Sequence, residues 1–441
     1  MFTPDIPAGL ASLITPWALA FNVVLAAGLM AIGVLTWRRP AVGVAAAAFA
    51  LPLYLARASV GGLPTTYLEL VILLVCGVTL VSALAKKNFR RGAPDPLRWP
   101  ATALLVAGTA ALAWSPDTLA AAGLWRAYLV EPALLYAVAR FALQDERDYR
   151  RVARALLASA LGVALLSIWQ QFSGIGIAEP QWVPLAQRRV TAHYTSPNAV
   201  GLYLGPIAAL AAGLLCIHPR RWRAMAGAGT VLLIALIAIL YTRSAGTWIG
   251  LFFAAAVVAY FTLGRWKTAG MLTAALALSL LLPAVQHRIR IELTDPASVN
   301  RRVLWQGSWD FLTASPKNFV LGTGIHGFPK VQDAFRDPRK MEPLLYPHTI
   351  ALNFWMEFGL GGLLSAAWLG LAAVRIAVSN LRQRVDGLTL GGLAALAAIL
   401  AHGLVDVPYF KNDLAALTWL LLAFVIWRGQ KNSSAAAEPK P

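Results

Sequence analysis

Apolar runs of about twenty residues, separated by short polar turns, constrain the fold of this chain more than any other feature. A helix needs about 20 mostly apolar residues to cross a bilayer. Of the 441 residues, 58% are hydrophobic and only 13% are charged, whereas a soluble domain carries about a quarter charged residues. The sequence therefore predicts an all-α, polytopic transmembrane helix bundle of about 12–13 spans. The candidate runs lie near residues 14–36, 41–56 (short and alanine-rich), 65–85, 99–114, 120–141, 152–173, 197–217, 222–241, 245–264, 268–285, 348–374, 388–406 and 412–428.

The distribution of basic residues explains the net charge of +18. One set of alternate turns holds 23 of the 38 lysines and arginines, and the opposite set holds six outside one long loop. Lysine and arginine in short loops mark the cytoplasmic face of a membrane protein. The pattern predicts an outer N-terminus and an inner C-terminus. It also accounts for the basic charge without a nucleic-acid partner.

One long polar segment, residues 286–347, interrupts the apolar pattern and divides the chain. N-terminal transmembrane helices occupy 1–285, C-terminal ones occupy 348–428, and a low-complexity tail at 429–441 is predicted to be disordered. Long loops escape the charge rule, so we expect residues 286–347 to be extracytoplasmic and to contain short helices. Arg301–Ala314 places Val303, Trp305 or Gln306, Trp309 and Leu312 on one helical face, predicted to lie against the membrane surface.

Polar residues collect at four places on the predicted outer face. Arginine clusters suit phosphate, whose oxygens a guanidinium can engage in pairs, and histidine readily accepts a proton near neutral pH. The alternatives are structural: an interfacial arginine can reach lipid headgroups, and a histidine can cap a helix or hydrogen-bond a loop. Cys76 and Cys216 both lie in apolar runs, so no disulfide or metal framework is predicted. The four places are Arg188–Asn198, Tyr241–Gly246 around Arg243, the long loop with Arg301, Arg302 and His326, and Pro347–Gly359 with His348.

Four segments in order carry a family pattern. RVTAHYTSPNAVGLYL resembles an Arg–x–Thr/Ser–Gly–x–x–x–x–Pro–Asn stretch with Ala192 replacing the glycine, and TRSAGTWIGL resembles a Ser–Arg–Gly turn around Arg243. The segment beginning RRVLW resembles an Arg–x–x–x–Trp stretch that continues to Pro–x–x–Gly–x–Gly, and HTIALNFWMEFGLGGLL resembles a His–Asn stretch with Thr349 replacing the asparagine. Over residues 180–365 the chain resembles the O-antigen ligase and polymerase superfamily of multi-pass glycosyltransferases.

The resemblance implies a reaction, its partners and its site residues. A glycan would move from an undecaprenyl-diphosphate carrier to an acceptor hydroxyl, with inversion and without a metal or cofactor, at the periplasmic face of a bacterial inner membrane. The acceptor would be a glycan, a lipid or a protein. The implied catalytic residues are His348, Arg243 and Arg189, and further substrate-binding residues are Arg188, Arg301, Arg302, His326 and Asn198.

Other functions stay open from the sequence. Within the superfamily, the chain could be an O-antigen ligase, a repeat-unit polymerase or a protein O-oligosaccharyltransferase. A transporter or flippase for an anionic or lipid-linked substrate would also use many helices and an arginine-lined path. It would predict inverted repeats and broken helices at mid-membrane, and the sequence has neither. A membrane scaffold leaves Arg243 and the glycine-rich loop unexplained.

Overall fold

Long helices joined by short turns make up most of the computed structural model, which describes residues 3–4, 18–60, 63–87, 94–216, 222–281, 286, 296–336 and 344–435. Residues 287–295 and 337–343 of the long polar segment, the end of the tail, and parts of two predicted basic turns (88–93 and 217–221) therefore lie outside the described residues. The helices are α1 (Ala18–Arg38), α2 (Pro40–Ala50), α3 (Tyr67–Ala85), α4 (Arg98–Ala111), α5 (Thr118–Trp125), α6 (Glu131–Ala142), α7 (Glu146–Ser173), α8 (Pro197–Leu215), α9 (Trp222–Thr242), α10 (Ala245–Leu263), α11 (Arg265–Leu281), α12 (Pro296–Thr313), α13 (Pro316–Leu321), α14 (Phe328–Val331), α15 (Ile350–Gln383), α16 (Gly387–His402) and α17 (Asn412–Ala435).

Seven helices within the described part of the chain are long and apolar enough to cross a membrane. Three shorter apolar helices, Pro40–Leu55, Gly387–His402 and Asn412–Ile426, accompany them. The architecture confirms the predicted all-α polytopic bundle, and the chain is a multi-pass membrane protein. The span count of about 12–13 stays a prediction. The seven are Leu19–Arg38, Tyr67–Ala85, Glu146–Ser173, Pro197–Leu215, Met225–Thr242, Ala245–Leu263 and Ile350–Gln383.

A small antiparallel sheet, which the sequence reading missed, lies at the start of α3. Its strands are β1 (Thr3–Pro4), β2 (Ala56–Val60) and β3 (Leu63–Thr66), paired in that order. Strands this short show no readable alternation of apolar and polar residues. After β3, Thr66 begins α3 with a capping box, in which its side chain accepts from the Glu69 N–H and Glu69 accepts from the Thr66 N–H.

Glycines bring the helices that carry polar loops into close contact. A Cβ on Gly213 of α8 would lie 2.3 Å from the Cα of Gly391 in α16, so the two backbones touch. In α10, a Cβ on Gly250 would lie 2.8 Å from the carbonyl oxygen of Ala398. Small residues are the usual device for such packing in membranes. Helices α8 and α10 therefore both pack closely against α16. The ends of these helices that carry Pro197, Ala245 and His402 lie at the face predicted to be outside, called the outer end below.

The long polar segment packs on the first turns of α15. Leu304 and Leu312 of α12 form a small buried cluster with Phe328 and Met356. The buried face of α12 is therefore centred on Leu304 and Leu312, and Trp309 is exposed. Leu312, which was assigned to the membrane-facing stripe, is therefore buried in the protein, and contact of the exposed Trp309 with the membrane surface stays a prediction.

Candidate active site

His348 faces Asp406 across the outer end of the bundle. Its ring Nδ1 lies 3.2 Å from Oδ1 of Asp406, and the side chains are 27% and 8% exposed, respectively. The same carboxyl oxygen accepts the Val407 N–H at 2.9 Å. The N-cap of α15 is Thr349, whose side chain makes no capping hydrogen bond. His348 therefore precedes the cap, and its ring contacts a carboxylate instead of the helix end.

Oδ2 of Asp406 is linked through Asn198 to Arg189, one of the residues predicted to be catalytic. Nδ2 of Asn198 lies 3.5 Å from Oδ2 of Asp406, and Oδ1 of Asn198 accepts from Nη2 of Arg189 at 3.2 Å. Asn198 is held at the start of α8, where its N–H donates to the Ser196 hydroxyl. Arg189, Asn198, Asp406 and His348 therefore form one continuous chain of side-chain contacts.

Arg189 also clamps the turn between α9 and α10. Its Nε donates to the carbonyl oxygen of Thr242 at 2.9 Å. The N–H of the next residue, Val190, donates to the backbone carbonyl oxygen of Tyr241. Its guanidinium lies 5.8 Å from the ring centre of Trp182, within cation–π range. The Arg188–Asn198 loop and the Tyr241–Gly246 turn are thereby held together.

Arg243 occupies that turn with its side chain exposed. Both terminal nitrogens lie 3.3 Å from the carbonyl oxygen of Ala186, which belongs to the Arg189 loop. Its backbone is left-handed, with φ 53°. A turn this short between two helices would give an arginine side chain little access to bulk water. The structure instead presents the guanidinium at the surface of the bundle, where an anion can reach it.

Gln170, which the sequence reading missed, fixes the shape of the Arg189 loop. Fully buried in α7, it accepts from the N–H groups of Thr191 and Ala192 through Oε1. Its Nε2 donates to the carbonyl oxygens of Gly176 and Ala192. A single side chain therefore satisfies four backbone groups that would otherwise be buried without partners.

Arg188 is tied to the local backbone. Its Nε donates to the carbonyl oxygen of Val183 at 2.8 Å, and its Nη1 donates to that of Gln171 at 2.7 Å. The guanidinium also covers Gly174, where a Cβ would approach Nη2 to 2.9 Å. These contacts give Arg188 a structural role in closing the loop and favour it less than Arg189 as a ligand-binding residue.

Arg301 and Arg302 lie on α12, above the end of α16. Arg301 is half-buried and close enough to His402 to interact electrostatically, while Arg302 is exposed. His402 packs against Gly246, where a Cβ would lie 2.5 Å from the imidazole carbon. Arg301 is thus the member of the pair placed toward the Arg243 turn and the Asp406 loop.

His326 lies in the glycine-rich loop, which is held by hydrogen bonds to α15 and to the segment that follows α4. Its N–H donates to Oε2 of the buried Glu357 at 2.7 Å, and the N–H of Ile325 donates to the Ser115 hydroxyl at 2.9 Å. Among the described residues, no hydrogen bond joins the His326 ring to His348, so the structure does not pair these two predicted histidines.

Left-handed backbone is concentrated in the predicted site segments. Five non-glycine residues in the described part of the chain have positive φ, and four of them are Ala192, Arg243, His326 and His348. Each costs of order 1–3 kcal/mol and persists only where surrounding contacts enforce it. Such strain is typical of functional sites, which supports the grouping of these segments.

The charge state of Asp406 follows from its neighbours. Burial alone would raise the pKa of this carboxyl, but the hydrogen bond from His348 and the fields of His348 and His402 outweigh burial and hold the pKa well below its ordinary value. In the Arg189 loop, burial lowers the pKa of His193 to about 4, although its contact with the Pro52 carbonyl acts in the opposite direction. Asp406 is therefore anionic at neutral pH, and His193 is neutral.

Side chains that commonly bind metals do not cluster in the described part of the chain. Within the described ranges, no group of three or more His, Cys, Asp or Glu side chains could hold an ion. The positive charges at the outer end come from arginine and lysine.

Residues 230–367 match the family model described as "O-Antigen ligase". This match supports membership of the chain in the O-antigen ligase superfamily. The matched segment includes Arg243, Arg301, Arg302, His326 and His348 and therefore covers the turn, the long polar segment and the start of α15. No curated protein matches the chain significantly. Superfamily membership supports a membrane glycosyltransferase-like function with lipid-linked glycan substrates.

Asp406 lies outside the segment matched to the O-antigen ligase superfamily, and the sequence reading also missed it. The signal was present: HGLVDVPYF places a carboxylate, four residues after a histidine, at the outer end of an apolar run. Polar residues at membrane level are costly and usually functional. Gln170 gave no comparable signal, because glutamine at the end of a long helix is common.

Proposed function

We propose that this chain transfers a glycan from a polyprenyl-diphosphate carrier, of the undecaprenyl type, to an acceptor hydroxyl. The observation that carries the proposal is the continuous contact from Arg189 through Asn198 and Asp406 to His348. Cationic groups suited to a leaving diphosphate lie at one end, and a histidine–carboxylate pair suited to a hydroxyl lies at the other. Asn198 and Asp406, which connect these two groups, help to orient both of them.

At the acceptor end, His348 removes the proton of the attacking hydroxyl. Because Nδ1 faces the anionic Asp406, the N–H tautomer donates at Nδ1 and leaves the lone pair of Nε2 for the hydroxyl. Asp406 orients the ring and stabilises the imidazolium that forms, as a carboxylate does in a catalytic triad. The hydroxyl oxygen then attacks the anomeric carbon.

At the donor end, Arg189 and Arg243 stabilise the departing diphosphate. The bond between the anomeric carbon and the phosphate oxygen breaks as the hydroxyl attacks, and negative charge grows on that oxygen. Guanidinium groups held in place before reaction are worth several kcal/mol at such a point. One direct displacement inverts the anomeric centre, and the proton held by His348 leaves to solvent.

An apolar groove beside His348 supports a lipid-borne reactant. It lies between α4, α15, α16 and α17, has a cavity volume of about 80 Å³, and begins at Ile350, two residues after His348. Tyr409, three residues after Asp406, forms part of the same wall. A hydrocarbon chain in this groove would keep its polar head at the outer end.

The proposed site faces the periplasm of a bacterial inner membrane. The charge pattern places the short basic turns in the cytoplasm, and the residues of the contact chain lie at the opposite ends of their helices. A polymerase or a protein O-oligosaccharyltransferase would use the same chemistry, so the acceptor class is decided by experiment.

The test is glycan transfer by the purified full chain in lipid nanodiscs. A polyprenyl-diphosphate-linked glycan would be supplied with a lipid, a glycan or a protein acceptor, and transfer followed by mass spectrometry. We expect transfer to one acceptor class, its loss in His348→Ala, and no change in Lys317→Ala, an exposed control on α13. Movement of the donor across a vesicle bilayer without transfer to any acceptor would instead identify a flippase.

A further inference from the structure

Lys411 is a cation at the outer end that the proposed mechanism has not used. It lies just before α17, on the segment that begins with Asp406 and ends with Asp413. Its side chain is half-buried, and it interacts electrostatically with both carboxylates. Yet among the described residues its ammonium makes no hydrogen bond and no ion pair within 4.0 Å.

The carboxylates around Lys411 are held by other side chains. Asp406 accepts from His348 and Asn198, and Asp413 accepts from the Tyr194 hydroxyl at 3.2 Å. Tyr194 belongs to the loop that carries Arg189, and Asn198 lies where that loop ends, in the first turn of α8. Two hydrogen bonds therefore join that loop to the two ends of the Asp406–Asp413 segment, and Lys411 lies between them.

The ammonium of Lys411 is not sealed inside the protein. Buried polar atoms without partners include Oδ1 of Asp413 and both side-chain atoms of Asn353, but not Nζ of Lys411. Burial lowers the pKa of Lys411 below its ordinary value, while the charges of Asp413 and Asp406 act to raise it. A half-buried cation without direct contact to an anion is unfavourable, and an entering anion would relieve that cost.

Part of the donor capacity of Arg189 and Arg243 is used within the protein. Arg189 uses Nε and Nη2 on Thr242 and Asn198, and Arg243 directs both terminal nitrogens at the carbonyl of Ala186. A diphosphate offers several non-bridging oxygens, each able to accept charge-assisted hydrogen bonds. A lysine adds three further donors at one point.

We propose that Lys411 is a third cation of the donor site and binds a non-bridging phosphate oxygen of the polyprenyl diphosphate. This inference rests on the proposed function. It assigns to the loop between α16 and α17 a part in both halves of the reaction, because Asp406 orients the base and Lys411 holds the leaving group.

The experiment measures lipid binding directly, using the purified full chain in nanodiscs. The probes are a polyprenyl diphosphate and the polyprenol of the same length. We expect Lys411→Met, which keeps the apolar stem, to weaken diphosphate binding by roughly 10- to 100-fold, the loss expected for a hydrogen bond between charged groups. Polyprenol binding should not change, Lys411→Arg should recover part of the loss, and the control Lys317→Met should bind as the wild type does.

Three results would overturn the inference. If Lys411→Met binds the diphosphate as the wild type does, or if Lys411→Arg and Lys411→Gln bind equally, the charge has no role in binding. If Lys411→Met lowers thermal stability alone and Asp413→Asn restores it, the lysine merely neutralises Asp413. If Lys411→Met does not fold, the role of the charge is tested by comparing diphosphate binding by Lys411→Arg with diphosphate binding by Lys411→Gln. If the wild type binds the polyprenyl diphosphate and the polyprenol equally, the proposed function itself is wrong.

Discussion

Nδ1 of His348 lies 3.2 Å from Oδ1 of Asp406, although 58 residues separate them in the chain. The contact is formed between the start of α15 and the loop after α16. It replaces the reading of His348 as a helix cap, because the capping position is Thr349. The relationship gives the imidazole a fixed tautomer and a fixed direction.

Asp406→Asn should therefore reduce turnover much more than donor binding. The amide keeps the size of the side chain but removes the charge that stabilises the imidazolium, so we expect kcat to fall by about 10²-fold or more. The KM for the donor should change little. Steady-state kinetics in nanodiscs would check this, with the exposed Asp310→Asn on α12 as the control. A variant with a raised donor KM and an unchanged kcat would contradict the role.

Arg243→Ala should lower the rate by at least ~10²-fold, the scale of losing one preorganised donor to a developing oxyanion. Arg243→Lys should recover only part of that rate, since an ammonium lacks the planar fork. Both variants keep the left-handed φ of 53° occupied by a residue with a Cβ, so backbone strain is matched between them. Equal rates for the two variants would show that the charge of Arg243 is not used in the transition state.

The sequence predicted those features that are local in the chain. Apolar run length located the helices, and the polar interruption located the segment containing α12. The position of Arg243 in a very short turn between two apolar runs indicated that it belongs to the site. Asp406 was missed because its partners, Asn198 and His348, are 208 and 58 residues away, and no local period reports such a contact. Gln170 was missed although its partners are only 6 to 22 residues away, because a glutamine near the end of a long helix gives no distinctive signal.

The buried face of α12 could not be identified from the sequence for a related reason. Periodicity finds a stripe of apolar residues, but α12 has apolar residues on more than one side. The choice of Leu304 and Leu312 as the buried stripe depends on Met356 of α15, which becomes a neighbour only in the folded chain. Tertiary packing, and not helix propensity, decides the orientation.

Ala192→Gly should stabilise the protein and preserve activity. Ala192 is fully buried with φ 49°, a conformation that costs an L-residue about 1–2 kcal/mol, whereas glycine loses about 0.5–1 kcal/mol in chain entropy. We expect a net gain of up to about 1.5 kcal/mol, measured as a higher Tm. Ala199→Gly, within α8, is the matched control and should lower Tm. A decrease in Tm for Ala192→Gly would show that φ strain does not limit stability here.

Cysteine labelling should report the orientation. With Cys76 and Cys216 replaced by serine, Lys317→Cys on α13 should react with an impermeant maleimide in intact cells, whereas Ser379→Cys near the end of α15 should react only after permeabilisation. Both positions are exposed in the structure. The reverse pattern would place the His348 end in the cytoplasm and exclude a periplasmic reaction.

Turnover should persist in excess chelator, because arginine and lysine side chains supply the positive charge in the proposed mechanism. The measurement is the rate of glycan transfer with and without EDTA, followed by addition of Mg²⁺ or Mn²⁺. Activity that is lost with the chelator and restored only by the metal would move the charge stabilisation from Arg189 and Arg243 to a bound ion.

The contact chain from Arg189 to His348 has a thermodynamic consequence. The same side chains touch the groups that recognise each substrate, so occupancy at one end biases the geometry at the other. Equilibrium linkage then requires symmetry: the factor by which bound donor changes the Kd of the acceptor must equal the factor by which bound acceptor changes the Kd of the donor. Asn198, which lies between Arg189 and Asp406 in this series of contacts, would determine the size of that factor.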